Sequence, residues 1–137
     1  MGAIISQREM NTASSSYRLI IYSKAGLVHT NAVSLNKLLA EKLIKIKPSR
    51  RTFQLEKGFH DVIASLPDDT IIKNLDVMLN PQYKVDVLKI LISANKQKPI
   101  RVLWPGQYSD GKLIYSNESL PDYRVYEISE YDILCVV

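Results

Sequence analysis

Two stretches of this chain have residue types and spacings suited to chemistry with a partner. The first is Met1-Gly2-Ala3-Ile4-Ile5-Ser6, which fits the Met-Gly-x-x-x-Ser/Thr pattern that precedes N-myristoylation. Removal of Met1 exposes an unhindered Gly2 amine for a narrow acyl-transfer site, where a small hydroxyl such as Ser6 also fits. Met-Gly is equally what a cloning site leaves, and it starts many chains that never meet a transferase. The second stretch runs from Lys37 to Lys57, where seven basic residues stand against two acidic ones. Arg8, Lys42, Lys45, Lys47, Arg50 and Arg51 are the candidates for binding phosphate, whether on an anionic membrane, where each held cation contributes roughly 1 kcal/mol, or on a nucleic acid. A single acyl chain anchors only marginally and reversibly, so Gly2 and the basic stretch together would form the two-signal arrangement that holds a protein at a bilayer.

Enzymatic patterns are missing from the sequence. Its five glycines stand apart at positions 2, 26, 58, 106 and 111, so no Gly-rich phosphate loop is spelled out. There is no His-Glu-x-x-His, Gly-x-Ser-x-Gly or Cys-x-x-Cys. His29 and His60 have no ligand-type neighbour at helical or strand spacing, and His60-Asp61 are adjacent residues that face apart on a helix. Asp68-Asp69 and Asp110 suit turns. The expectation is no catalytic residue, no metal, no cofactor and no small-molecule substrate. Tyr131-Asp132-Ile133-Leu134 fits a Tyr-x-x-apolar sorting motif through Tyr131 and Leu134. So does Tyr17-Arg18-Leu19-Ile20, which shows how readily so short a pattern arises.

The 137 residues, 46% hydrophobic and 23% charged, suit one ordinary globular domain. The lone Cys135 excludes an internal disulfide. No apolar run approaches the roughly 18 residues of a membrane span, and the N-terminus lacks a secretory h-region. These features suggest a cytoplasmic protein, peripheral on the inner face of a membrane or in a virion. The net charge of +4 is unevenly spread: from Asp110 onward two basic residues face six acidic ones. Such asymmetry fits one surface for an anionic partner, or a solvated helix beside an acidic neighbour.

Several elements must position these groups. Residues 1–16, ending in Ser14-Ser15-Ser16, read as a flexible tether, and residues 17–137 as a single α+β domain. Ser34 is a candidate N-cap for a helix carrying Leu35, Leu38, Leu39, Leu43 and Ile46 on one face, stopped near Pro48. Asn80-Pro81 is a second helix start, leading into an apolar helix that ends before Pro99. Strands are expected at Tyr17–Tyr22, Leu27–Thr30, Thr52–Glu56, within Thr70–Leu79, and at Ile100–Trp104, Lys112–Tyr115, Tyr123–Ile128 and Tyr131–Val137. Because strands outnumber helices without regular alternation, the expected architecture is α+β: a mostly antiparallel sheet with two main helices packed on it.

Lipid signal, tether, domain and basic face share the layout of small membrane-associated structural proteins such as viral matrix proteins, without a motif in common. The functional expectation is a non-enzymatic adaptor or matrix-like protein that self-associates at an anionic membrane. The alternative is a soluble nucleic-acid-binding or regulatory protein using the same basic patch.

Overall fold

A computed structural model of the chain describes residues 2–8, 18–28 and 31–137. Most of the expected tether, together with Tyr17 and His29, lies outside the described residues. The main sheet has six strands: β1 (Ala3–Ile5), β2 (Leu19–Tyr22), β3 (Val33–Ser34), β4 (Thr70–Lys73), β5 (Ile100–Leu103) and β9 (Ile133–Val136). Their order is β1-β9-β2-β5-β4-β3, and every pairing is parallel. Three helices, α1 (Leu35–Leu43), α2 (Arg51–Ala64) and α3 (Val87–Gln97), lie among the described residues. A second, antiparallel sheet of β6 (Gln107–Ser109), β7 (Lys112–Tyr115) and β8 (Arg124–Glu127) sits beside them.

The expectation of a mostly antiparallel sheet under two helices is therefore wrong, and the strands show why. Every residue of Leu19–Tyr22 and of Ile133–Val136 is buried, because a central strand of a parallel sheet is covered on both faces and reads as a continuous apolar run. Antiparallel pairing is confined to the small sheet, where inward Leu113 and Tyr126 alternate with outward neighbours. There the turn at Asp110 and Gly111, both left-handed at φ 49° and 76°, closes a two-residue hairpin whose twist matches its strands.

Alternate side chains of the parallel strands build two apolar layers. Leu19, Ile21, Ile72, Val102, Ile133 and Cys135 face the layer that holds the buried faces of all three helices. Ile20, Tyr22, Ile71, Leu134 and Val136 point the other way, packed with Leu27, Val28, Ala32, Ala3 and Ile5. Two further expectations change. Thr52–Glu56 lies inside α2, because Leu55, Phe59, Val62 and Ile63 form a helical core face while Phe53 points out at 84% exposure. The apparent alternation around Phe53 counted a residue that never enters the core. The second helix begins at Val87 rather than at Pro81; Asp86 is its N-cap and accepts from the Lys89 N–H at 3.2 Å.

Burial gives the fold an alkaline limit. The Cys135 thiol, wholly enclosed in β9, is pushed from about 9 to about 11 by desolvation. Burial, and then hydrogen bonds to Asp76 and Asp86, raise the phenols of Tyr115 and Tyr131 above their ordinary value. Each group keeps its proton longer folded than unfolded, so the stability it contributes is complete below the unfolded-state pKa and declines as pH rises toward the folded one. The melting temperature should accordingly fall as pH rises above about 9, and Cys135→Ala should flatten the first part of that fall. An unchanged pH profile in the variant would refute the assignment to Cys135.

Candidate functional site

The basic residues are gathered by the junction of α1 and α2. Helix α1 buries Leu35, Leu39 and Leu43, one residue per turn and a little more, so its last turn presents Lys42 and then Lys45 outward. The chain turns back through the short 3₁₀ segment Pro48–Arg50 into α2. Arg51 makes that turn possible. Its Nε donates to the carbonyls of Leu43 at 3.0 Å and Ile46 at 3.1 Å, joining the Ile46 N–H that the Leu43 carbonyl also accepts at 3.0 Å. Arg51, expected to be a phosphate ligand, thus has its Nε at the α1–α2 corner and does not line the depression that α1 and α2 form.

Lys42, Lys45, Lys47 and Arg50 do come together, joined by Lys57, around an open depression of about 420 Å³. Gln54 adds a neutral hydrogen-bonding group to its wall, and Asp61 is the one carboxylate there. On α2, Arg50, Gln54, Lys57 and Asp61 fall on one side because residues three and four apart share a helix face. Phe53 flanks Arg50 and Lys57 on the same helix, and Ile44 follows α1; they are 84% and 74% exposed. Lys57 is not among the ligands expected from the sequence, because reading Thr52–Glu56 as a strand breaks the helix that carries it. Once α2 is continuous, the spacing from Arg50 to Lys57 is two helical turns.

Arg8 does not line the depression; it follows β1 at the far side of the sheet. Gly2 lies against the main chain between Ile128 and Tyr131. A side-chain carbon on it would fall 1.9 Å from the Ile128 carbonyl oxygen and 2.6 Å from that of Tyr131. Ala3–Ile5, part of the expected tether, pairs with Leu134–Val136 as an edge strand. β1 and β3 are the opposite edges of the sheet, about 24 Å apart at roughly 4.8 Å per strand. Gly2 thus precedes one edge strand, while α1, whose far end borders the depression, follows the other. In the Tyr-x-x-apolar motif, Tyr131 donates its hydroxyl to Asp86 at 2.7 Å, and Leu134 is buried in β9.

A second concavity lies at the carboxyl ends of the parallel strands, where open α/β sheets receive ligands. It measures about 390 Å³ and is lined by Ser23, Lys24, Gly106, Gln107, Tyr108 and Val137. Nearby polar groups at that edge are engaged with one another. Asp76 accepts from Tyr115 at 2.7 Å through one oxygen and from Asn36 at 3.2 Å through the other, and Asn74 donates to Ser34 at 2.9 Å. These bonds tie α1, β4 and β7 together. Among the described residues no group of three or more His, Cys, Asp or Glu side chains is placed to hold a metal ion, and no helix is long and apolar enough to cross a membrane.

Comparison of the chain with protein-family models, with curated proteins and with solved structures gives no match.

Proposed function

We propose that the protein is a polyanion-binding module whose ligand is single-stranded nucleic acid, held in the depression between α1 and α2. The observation that carries this reading is the convergence of Lys42, Lys45, Lys47, Arg50 and Lys57 on one concave surface beside an aromatic ring that is 84% exposed. Cations along a groove follow the phosphates, and a free aromatic face stacks a base whatever its identity. A ring left in water on a helix is costly to keep exposed, and a base is the flat apolar partner that suits it. Concavity favours a strand over a bilayer, since a flat lipid surface reaches the rim of a depression and not its wall.

Fluorescence anisotropy with a labelled oligo-dT or oligo-U, across a salt series, tests the proposal. Four to five phosphate contacts predict a slope of about −3 in log K against log salt. Phe53→Ala should weaken binding by roughly tenfold through lost stacking, and Lys45→Glu by at least as much, while circular dichroism is unchanged. Flotation with phosphatidylserine vesicles in the absence of oligonucleotide binding would assign the surface to membranes instead. Binding that ignores both substitutions would overturn the site.

A further inference from the structure

Among the described residues, the large apolar side chains that stand exposed are Ile4, Ile44, Phe53, Leu120, Tyr123 and Val125. Five of these six fall into two sets of opposite electrostatic setting. Phe53 flanks Arg50 and Lys57 along α2, and Ile44 directly precedes Lys45 in the chain. Leu120, Tyr123 and Val125, at 48%, 38% and 40% exposure, lie on the loop after β7 and on β8, within the acidic stretch from Asp110 onward and near Glu118 and Glu127 in the chain. Val125 pairs with Ile114 across the outward face of the small sheet, and Glu127 with Lys112. The Lys112–Glu127 contact is long, 3.7 Å, with both side chains over two-fifths exposed, so Lys112 balances Glu127 and the acidic excess of this stretch comes from its other carboxylates. Clusters that are apolar and charged at once are the composition of docking surfaces rather than of ordinary solvated ones.

The two surfaces cannot meet within one molecule. Asn36, in the first turn of α1, shares Asp76 with Tyr115 of β7, which places the small sheet at the amino end of α1. The depression begins at the other end of that helix, about 12 Å further along at 1.5 Å per residue. A rigid helix holds them apart, so complementary surfaces of this kind can be satisfied only between molecules. We infer that copies of this chain associate head to tail, the Leu120/Tyr123/Val125 surface of one seated on the cationic surface that carries Phe53 in the next. The contact joins two different surfaces, so it is heterologous and leaves one free surface of each kind at the ends of every oligomer. It shares the cationic surface with the nucleic-acid reading but does not rest on it. A seated copy covers Phe53, so oligonucleotide and partner compete.

Four apolar side chains with charged surrounds make a small contact, so a dissociation constant on the order of 10–100 µM is expected. Sedimentation velocity on nuclease-treated full-length protein provides the test. The wild type should sediment faster as concentration rises at low salt, and less so at high salt, where the attraction is screened. Phe53→Ser/Lys45→Glu and Leu120→Ser/Val125→Lys should each stay monomeric, and all four substituted positions are solvent-exposed, so far-ultraviolet circular dichroism should be unchanged. Mixed in equal amounts, the two variants should form dimers and nothing larger, because each supplies the surface the other lacks. A wild type that stays monomeric at low salt, a variant that still self-associates, or a mixture that stays monomeric while the wild type associates would each overturn the inference. The second double variant should keep its oligonucleotide affinity, so failure of the assembly is distinguishable from failure of the nucleic-acid reading.

Discussion

Arg124→Met is expected to remove about 4 kcal/mol of stability, a large share of what a domain of this size has. The guanidinium of Arg124 donates to three main-chain carbonyls of one segment: Val85 at 2.8 Å, Tyr83 at 2.7 Å and Asn80 at 3.3 Å. It also meets the Tyr126 hydroxyl at 3.3 Å, and that hydroxyl accepts from the Val87 N–H at 3.4 Å. One planar cation thus replaces the helix that Asn80-Pro81 invites, satisfying carbonyls that would otherwise have needed helical N–H partners. Methionine keeps the apolar stem and removes every donor, leaving the Tyr83 and Val85 carbonyls without Arg124, while that of Asn80 still accepts from the Tyr83 N–H at 2.9 Å. Lysine should recover less than half of the loss, since a point cation cannot fork to diverging acceptors. Chemical denaturation measures both variants; a loss below about 1 kcal/mol for Arg124→Met would show that water satisfies those carbonyls equally well.

Gly106→Ala should cost about 3 kcal/mol and lower the melting temperature by roughly 10 °C. The added carbon would fall 1.9 Å from the Ile114 carbonyl oxygen and 2.9 Å from Trp104 Nε1, and these two atoms are themselves hydrogen-bonded at 3.0 Å. This is the joint between the sheets: Trp104 follows β5, Ile114 lies in β7, and Trp104 packs edge-on against Tyr126 with ring centroids 5.9 Å apart. Backbone atoms cannot swing aside as a flexible side chain does, so the substitution must separate the sheets or displace the 104–106 segment. Gly26→Ala is the matched control, because an added carbon there meets nothing within 4 Å; it should be neutral or slightly stabilising. Equal melting temperatures for the two variants would show that the joint yields without cost.

Much of the local structure was legible from residue order. Ser34 does precede α1, the Leu35, Leu39 and Leu43 face is buried, and Ile100–Leu103 is a central strand. The hairpin at Asp110-Gly111 was marked by its turn residues. Strand direction was also partly written there and went unread. Leu-Ile-Ile-Tyr and Ile-Leu-Cys-Val run apolar without alternation, the mark of parallel strands covered on both faces. Alternation alone does not mark direction, since parallel β5, Ile-Arg-Val-Leu, alternates in burial as well.

What the sequence determined by itself is whatever depends on near neighbours: helical periodicity, the hairpin turn, and the density of positive charge between Lys37 and Lys57, all fixed over a few residues by backbone geometry and side-chain type. Which strands became neighbours was decided only in three dimensions. β2 lies between β5 and β9, strands encoded far along the chain, and that choice depends on how the crossovers bury apolar area together. The same holds for the candidate site. Tertiary packing turned the Arg51 Nε to the carbonyls of the α1–α2 corner, brought Lys57 to Lys42 and Lys45, and placed Gly2 ahead of the edge strand β1. A side chain's role follows from what surrounds it, and those surroundings exist only once distant segments have closed on one another.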